Sequence, residues 1–263
     1  MQRLHSILQT LDDFAPLSLA ESWDNVGLLV GEADAWVRRV MVCLTVTETT
    51  LREAIERNAN LIISHHPIPF KPLHRITDQT PTGRLIVQAI RHEVAIYSPH
   101  TAWDNAPRGI NRQLAECLGL DNLAPLTLSP DASHASRGLG SGLQGNFPVP
   151  QSIDAIFEKL QSHIPSARPR CTHDGLRQVS QIAMVCGSGG SLVSLAAKCG
   201  CDAFLTGEAT YHQCLEAEAY GMALLMIGHH ASEFFSLSTL AAHLQSCWPD
   251  VEFCCSEREH STF

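Results

Sequence analysis

The alternation of short apolar runs with amphipathic segments constrains the fold of this chain more than any other feature. Runs rich in β-branched and aliphatic residues predict strands at 37–46, 60–66, 93–100, 181–188, 202–207 and 222–230. The segments between them have helical spacing, at 47–58, 82–92, 109–119, 152–164, 191–200 and 212–221. Apolar strands that alternate with helices of about ten residues are typical of βαβ units. The sequence therefore predicts an α/β fold with mostly parallel sheets.

The N-terminal segment and the cysteines predict a soluble, cytoplasmic protein. Leu4, Ile7, Leu8 and Leu11 recur at helical spacing, which indicates an amphipathic helix rather than a signal peptide. No stretch approaches the roughly 18 to 20 consecutive apolar residues that a membrane span needs. The ten cysteines show no C-x-x-C spacing, and no export signal precedes them, which favours reduced thiols.

The charge of the chain gives no support to a polyanionic partner. The formal net charge is −9, with 18 lysines and arginines against 27 aspartates and glutamates. No run of basic residues supplies a local positive patch that could attract a nucleic acid. A small-molecule substrate is compatible with this charge.

The segment 124–150 interrupts the regular alternation of strands and helices. It is rich in serine, glycine and proline, which predicts loops and a change of domain. We therefore predict a discontinuous first domain, made of 1–126 and 228–263, and a second α/β domain at 127–227.

Polar side chains follow three of the predicted strands at the points where these strands end. They are His65 and His66, His100 and Asp104, and His229, His230 and Glu233. The carboxyl ends of parallel strands share one edge of a sheet, where ligand sites form. We therefore expect these clusters to lie near one another although they are far apart in sequence.

The residue types in these clusters suit metal ligation. His65 and His66 can face one site only if their strand ends there, and Pro67 indicates that it does. His229 and Glu233 are four residues apart at a predicted helix start and share a face. A carboxylate such as Asp104 can bridge two cations about 3.5 to 4 Å apart. Imidazoles with carboxylates favour Zn, Mn, Fe, Co or Ni over Ca or Mg.

Each feature also has an ordinary structural explanation. Two adjacent histidines at a strand end are more often hydrogen-bonded than metal-bound. Glu233 could be a helix N-terminal acid, and Asp104 could be a turn residue. The expected convergence of the clusters at one sheet edge favours a metal site over these explanations.

Six motifs, in order along nearly the whole chain, resemble those of the NIF-three-like family of di-metal proteins. Members of this family are often named GTP cyclohydrolase 1 type 2 homologues. The motifs are SWDNVGLLVG (22–31), LIISHHPIPFK (61–71), YSPHTAWDNAPRGINRQLAECLGL (97–120), VCGSGGSL (185–192), FLTGEATYH (204–212) and IGHHASE (227–233).

The resemblance implies a complete architecture and ligand set. It implies two divalent metal ions per subunit, two interlinked α/β domains and a homohexameric ring with the metal sites facing an internal cavity. Asp104 and Glu233 are implied as the bridging carboxylates, and the implied ligands are His65, His66, Asp104, His229 and Glu233. The chain departs from the family at His230, where a tyrosine is common, and at Thr45, where many members have an acid.

Several other polar residues are weaker candidates. His100, Glu208 and His212 could transfer protons, although His100 could equally be a hydrogen-bonded structural histidine. The segment Trp23, Asp24 and Asn25 could be a packing and turn feature. The glycines of 185–192 complete neither a P-loop nor a dinucleotide fingerprint.

The predicted function is that of a metal-dependent hydrolase acting on a nucleotide-like or phosphorylated small molecule. GTP cyclohydrolase-like activity is implied by the resemblance, since nothing in the sequence shows guanine recognition. The alternative is a non-catalytic, metal-containing, ring-shaped regulatory or interaction protein, because a di-metal site and an activity are separate claims. A closed structural metal site is less favoured, because none of the proposed ligands is a cysteine.

Overall fold

The apolar runs of the sequence form the central strands of two mixed sheets. The structure is a computed structural model that describes residues 1–261. All six predicted strands and all six predicted helices are present, with ends that differ by a few residues. The α/β fold with mostly parallel sheets is therefore confirmed.

The strands and helices are numbered in chain order. The strands are β1 (Gln2–Arg3), β2 (Gly27–Val30), β3 (Trp36–Val37), β4 (Arg39–Cys43), β5 (Leu61–Ser64), β6 (Ala95–Ser98), β7 (Asp121–Ala124), β8 (Thr127–Leu128), β9 (Gly140–Ser141), β10 (Leu143–Ser152), β11 (Arg170–Cys171), β12 (Gln178–Val185), β13 (Ala203–Thr206), β14 (Ala223–Met226) and β15 (Glu252–Cys255). The helices are α1 (Leu4–Phe14), α2 (Glu48–Glu56), α3 (Pro81–Arg91), α4 (His100–Asp104), α5 (Ile110–Leu118), α6 (Ala132–Ala135), α7 (Ile153–His163), α8 (Val193–Lys198), α9 (Tyr211–Ala219), α10 (His229–Phe234) and α11 (Leu237–Cys247).

The chain forms two units, and the first is discontinuous in sequence. It consists of Met1–Trp103 with the segment that begins at Ser236, and the second unit is Asp104–Phe235. The sequence prediction placed the changes after residues 126 and 227. The second unit begins at Asp104, before the predicted position, because α5 and β7 belong to it. Helix α5 packs on α7 and β10, and β7 pairs with β10.

The first unit contains a five-stranded sheet in the order β15-β4-β5-β6-β2. The first four strands are parallel and β2 is antiparallel. Met41, Ile62 and Ile96 on one face pack with Leu51 of α2 and Ile86 of α3 in a buried cluster. Burial of each such side chain stabilises the packing of the helices on this sheet by about 1.5 to 3 kcal/mol.

The second unit contains a six-stranded sheet in the order β11-β14-β13-β12-β10-β7. Its three central strands, β12, β13 and β14, are parallel. Their last residues are in register, because Val185 pairs with Thr206 and Thr206 pairs with Met226. The loops that follow these three strands therefore begin at one edge of this sheet.

Strand β10 lies in the segment 124–150, where the sequence analysis predicted loops, so that prediction is wrong there. The strand pairs on one side with β12 and on the other with β7. Its pairing with β12 is interrupted between Asn146 and Gln151, and Pro148 and Pro150 lie in that interruption. Proline is tolerated in a strand where it does not have to donate a ladder hydrogen bond. Pairing with two neighbours outweighs a local composition that is typical of loops.

A buried carboxylate anchors the C-terminal segment of the first unit. The side chain of Glu53 on α2 is fully buried. It accepts hydrogen bonds from the Ser256 hydroxyl at 2.6 Å and from the backbone N–H groups of Glu257 at 3.0 Å and Arg258 at 3.2 Å. Burial alone would raise the pKa of Glu53, but these hydrogen bonds and the Arg57 guanidinium lower that pKa below its ordinary value.

Replacing Glu53 with glutamine is expected to lower the free energy of unfolding by roughly 2 to 3 kcal/mol at pH 7, because an amide nitrogen then meets backbone donors. Since the folded-state pKa of Glu53 is depressed, its contribution to the free energy of unfolding is complete above the unfolded-state pKa of about 4.3. The contribution is lost as the pH falls from there through the folded-state pKa. Urea unfolding of the wild type and of Glu53→Gln at pH 7 and at pH 3 measures the free energy of unfolding that the variant loses at each pH. A variant deficit that is as large at pH 3 as at pH 7 would contradict this assignment.

The structure also shows whether any described helix could span a membrane and which cysteines carry free thiols. Among residues 1–261, no helix combines the length and the apolar character needed to cross a membrane. All ten cysteines lie in this part of the chain and carry free thiols.

Candidate metal centre

Three imidazoles meet at the carboxyl ends of β5 and β6 in the first unit. The possible donor atoms of His65, His66 and His100 all lie within 4.8 Å of one another. Their backbone is held by the hydroxyls that end the two strands. Ser98 donates to the carbonyl of His65 at 2.5 Å, and Ser64 donates to the carbonyl of His66 at 2.9 Å. The two adjacent histidines therefore converge, as the end of the strand before Pro67 predicted.

Thr45 orients the imidazole of His66. Its hydroxyl lies 2.8 Å from Nδ1 of His66, which leaves Nε2 as the nitrogen that can bind a cation. Thr45 itself is held by Glu259, whose carboxylate accepts from the N–H of Leu44 at 2.6 Å and of Thr45 at 2.7 Å. A threonine thus provides the contact to His66, and a carboxylate from the C-terminal segment fixes the threonine.

Replacing Thr45 with valine is expected to weaken metal binding by about 10-fold to 100-fold, the usual effect of losing a group that orients a ligand. Valine keeps the shape and removes the hydroxyl that contacts His66. Thr45→Ser keeps the hydroxyl and serves as the matched control. Competition titration with a chelating dye measures both affinities. Equal affinities in the two variants would show that the hydroxyl has no orienting role.

His100 is held in an unusual backbone conformation by a buried carboxylate. The backbone angle φ of His100 is +31°, a value that residues other than glycine rarely adopt. Backbone strain of this kind is often found at functional sites. Nδ1 of His100 donates to Asp24 at 2.7 Å, and the same carboxylate accepts from the N–H of Thr101 at 3.1 Å and from the Thr101 hydroxyl. Burial would raise the pKa of Asp24, but the contacts with His100 and Thr101 lower that pKa. Asp24 therefore carries a negative charge at neutral pH.

The second unit carries a histidine between two carboxylates. His229 begins α10 directly after Gly228, and its Nε2 lies 3.2 Å from Glu233 of the same helix. Its Nδ1 lies 3.0 Å from Glu208, in the loop that follows β13. Burial would lower the pKa of His229, but Glu233 and Glu208 raise it to about 9. Carboxylates that favour a positive charge on this imidazole also favour a divalent cation beside it.

A glycine packs against the side chains of His229 and Glu233. Gly187, after β12, has a φ of +61°, and an added Cβ would lie 2.2 Å from Oε1 of Glu233 and 3.3 Å from Nε2 of His229. Its N–H donates to the hydroxyl of Ser232 at 2.9 Å, and that hydroxyl donates to the carbonyl of His229 at 2.8 Å. The missing side chain leaves room for the carboxylate of Glu233, which is only 3% exposed.

Asp104 and Glu233 both lie beside a buried thiol of the second unit. The pKa of Cys186 is raised by burial and then by the negative charges of Asp104 and Glu233. The N–H of Cys186 donates to Asn111 at 2.8 Å, which fixes the loop after β12. The two carboxylates that the resemblance implied as bridging ligands therefore both act on the thiol of Cys186.

The remaining candidates have different surroundings. Glu208 contacts His229, as described, whereas His212 is exposed on α9 and its ring contacts Tyr211. The ring of His230 stacks on Phe234 at 4.6 Å between centroids. A proton-transfer role for His212 stays a prediction.

Sequence reasoning missed the groups that orient these histidines. The sequence gives Asp24 only as a weak candidate and Thr45 only as a departure from the family, and it assigns no supporting role to Gly187 or Ser232. The Trp-Asp-Asn sequence at 23–25 was the one available signal, because it was considered as a weaker candidate. The other contacts join residues far apart in the chain and leave no local pattern.

The donor groups of both units fit divalent transition metals. Neutral imidazole nitrogens with carboxylate oxygens are the ligands that Zn, Mn, Fe, Co and Ni accept. Nδ1 of His229 meets a carboxylate and Nδ1 of His66 meets a hydroxyl, which is the usual arrangement around metal-binding histidines. The absence of a side chain at Gly187 leaves the space that the carboxylate of Glu233 occupies. These observations support metal binding and leave the number and identity of the ions open.

The chain is similar to known proteins over nearly its whole length. The family model described as Duf34/NIF3 (NGG1p interacting factor 3) matches residues 2–261. A Clostridium perfringens protein named GTP cyclohydrolase 1 type 2 homolog is 33% identical over 262 residues, which cover 99% of this chain and 98% of that protein. A Drosophila melanogaster protein named NIF3-like protein 1 is 32% identical over 235 residues, or 88% of this chain and 78% of that protein.

A solved structure shows the same fold. The crystal structure of a Staphylococcus aureus protein superposes with a TM-score of 0.88 at 26% identity and covers 100% of this chain and 98% of that one. A Bacillus cereus protein related to NIF3 has a TM-score of 0.90 at 22% identity, over 100% of this chain and 99% of that one. At that identity the second likeness concerns the fold alone.

Proposed function

Because the chain belongs to the Duf34/NIF3 family, we propose that it is a dinuclear metal-dependent hydrolase of nucleotide-like or phosphorylated small molecules. His65, His66, Asp104, His229 and Glu233 would hold the metal ions, and the family resemblance implies Asp104 and Glu233 as the carboxylates that the two ions would share. The observation that carries the proposal is that protein oxygens engage Nδ1 of both His66 and His229. That arrangement leaves Nε2 of each imidazole as the nitrogen that would bind a cation, and Nε2 of His229 already lies 3.2 Å from the carboxylate of Glu233.

The chemistry follows from what the side chains can hold and move. Two divalent cations, when bound, supply Lewis acidity and lower the pKa of water. Glu208 accepts from Nδ1 of His229 and fixes the orientation of its ring. Asp24 accepts from Nδ1 of His100, which leaves Nε2 of His100 as a proton acceptor. His100 is therefore the proposed general base.

The substrate class is supported by the relatives and by the donor set. The relatives named GTP cyclohydrolase 1 type 2 homolog suggest a purine nucleotide as the first compound to test. If GTP is the substrate, the reaction implied by that name opens the purine ring at its imidazole carbon. Hydrolysis of a phosphoester is the other reaction that paired cations favour.

The test is a turnover assay on a panel of nucleotides and phosphoesters. The full chain is reconstituted separately with Zn, Mn, Fe, Co and Ni, and His229→Gln is compared with His163→Gln. His163 is an exposed histidine on α7, so its replacement controls for the loss of any imidazole. We expect turnover in the wild type and in His163→Gln, and a rate at least about 100-fold lower in His229→Gln. Metal-loaded wild type that turns over no member of the panel would contradict the hydrolase.

The second candidate function is a metal-containing regulatory or interaction protein that assembles as a homohexameric ring. The family description, NGG1p interacting factor 3, names an interaction rather than a reaction. Light scattering on the wild type and on Asp104→Ala measures whether a hexamer forms without the metal ligand. A hexamer that persists in Asp104→Ala while turnover is lost favours the enzyme. A macromolecular partner bound equally by both proteins, with no turnover in either, favours the second candidate.

A further inference from the structure

We propose that Trp23, Phe70 and His100 form a binding surface for the planar heterocyclic ring of the substrate. We call this surface the aromatic wall. The inference rests on the proposed function, because it places the ring of a small-molecule substrate beside the imidazole cluster. It narrows the substrate class to compounds that carry an aromatic heterocycle.

The aromatic wall consists of two exposed rings around a histidine. Trp23 is 61% exposed and Phe70 is 51% exposed, and their ring centroids lie 6.1 Å apart at an interplanar angle of 49°. Both rings meet the imidazole of His100 nearly edge-on. The Trp23 centroid is 6.2 Å from that of His100 at 78°, and the Phe70 centroid is 6.0 Å from it at 80°.

The backbone around the aromatic wall is fixed although its rings are exposed. Asp24, next to Trp23, holds both His100 and Thr101 through its buried carboxylate. The side-chain amide of Asn25 donates to the carbonyl of Pro69 at 2.7 Å, which ties the Trp23 segment to the segment that carries Phe70. Two large apolar rings held in the open cost solvation free energy and suggest a ligand that covers them.

The position of the aromatic wall connects it with the chemistry. His100 belongs both to the wall and to the imidazole cluster with His65 and His66, and its centroid lies 5.1 Å from that of His65. A ring stacked on Trp23 or Phe70 would therefore lie beside the imidazole of His100, the proposed general base. Base stacking on aromatic side chains tolerates any base, because every base presents a π-face. The wall thus explains recognition of a heterocycle without a specific set of hydrogen bonds.

The test compares a ring-bearing probe with a ringless one. Binding of GMP and of ribose 5-phosphate to the metal-loaded full chain is measured by calorimetry for wild type, Trp23→Leu and Phe70→Leu. Trp36→Leu is the matched control, because Trp36 is also exposed in the first unit but contacts Arg3 instead. We expect each wall variant to weaken GMP binding by about 5-fold to 150-fold and to leave ribose 5-phosphate binding and metal content unchanged.

Three results would overturn the aromatic wall. The first is GMP affinity equal to that of wild type in both wall variants. The second is an equal loss for GMP and ribose 5-phosphate, which would indicate a general disturbance. The third is a change of oligomeric state in Trp23→Leu with unchanged GMP binding, which would make the wall a contact between copies. Failure of the hydrolase itself appears separately, as absent turnover in a protein that still binds GMP through the wall.

Discussion

A Gly187→Ala variant is expected to lose metal affinity by about 10-fold to 100-fold. The added Cβ would lie 2.2 Å from Oε1 of Glu233, a distance that no real contact tolerates, so the carboxylate must move. Glu233 is a buried ligand of the proposed centre, so its displacement would take away a carboxylate oxygen that would hold the cations. Because Gly187 has a positive φ, alanine there also lowers the free energy of unfolding by about 1 to 2 kcal/mol. This loss of stability is independent of metal binding.

The two effects are separated by Gly200→Ala. Gly200 also lies in the second unit with a positive φ, of +81°, but an added Cβ there meets nothing within 4 Å. We expect a similar stability loss in this control and an unchanged metal affinity, measured by thermal unfolding and by dye competition. An equal loss of metal affinity in Gly187→Ala and Gly200→Ala would show that the contact between Gly187 and Glu233 does not support metal binding.

An Asp24→Asn variant is expected to lose roughly 2 to 3 kcal/mol of stability and most of its activity. The carboxylate accepts from Nδ1 of His100 and from two donors of Thr101. An amide has one acceptor oxygen, so its NH₂ group must face a donor, either the imidazole or Thr101. The tautomer and orientation of His100 are then no longer fixed, and its Nε2 is no longer a reliable proton acceptor. Urea unfolding measures the stability, and turnover of the active compound measures kcat.

The matched control is Asp34→Asn. Asp34 also pairs with a histidine, since it lies 3.4 Å from Nδ1 of His5, but its side chain is 90% exposed. Exposed ion pairs contribute about 0 to 1 kcal/mol, so this variant is expected to behave nearly as wild type. An Asp24→Asn protein as stable and as active as Asp34→Asn would show that the buried pair does not position His100.

The strands, and the polar clusters at their ends, could be predicted because they depend on local patterns. An apolar run ends in His65 and His66 whatever surrounds it, and β5 and β6 bring these histidines and His100 to one edge of the five-stranded sheet. The prediction that His229 and Glu233 share that sheet edge was wrong, because they follow β14 of the six-stranded sheet. The groups that orient the histidines depend on distant segments. Glu259 reaches Thr45 across 214 residues, and Asp24 reaches His100 across 76. No periodicity records such contacts, so one sequence alone gave only weak signals for them.

Strand β10 shows the opposite error. The serine, glycine and proline content of 124–150 is typical of loops, yet pairing with β12 and β7 forms a ten-residue strand. Local propensity was outweighed by two neighbouring strands, whose presence a short window cannot register.

The most direct test of the central claim is the metal content per chain. Elemental analysis is made on wild type and on Asp104→Ala, both purified without chelators. We expect about two equivalents of divalent transition metal in the wild type and a sharp fall in Asp104→Ala. Wild-type protein that holds no metal, and takes up none from Zn, Mn, Fe, Co or Ni, would contradict the dinuclear centre.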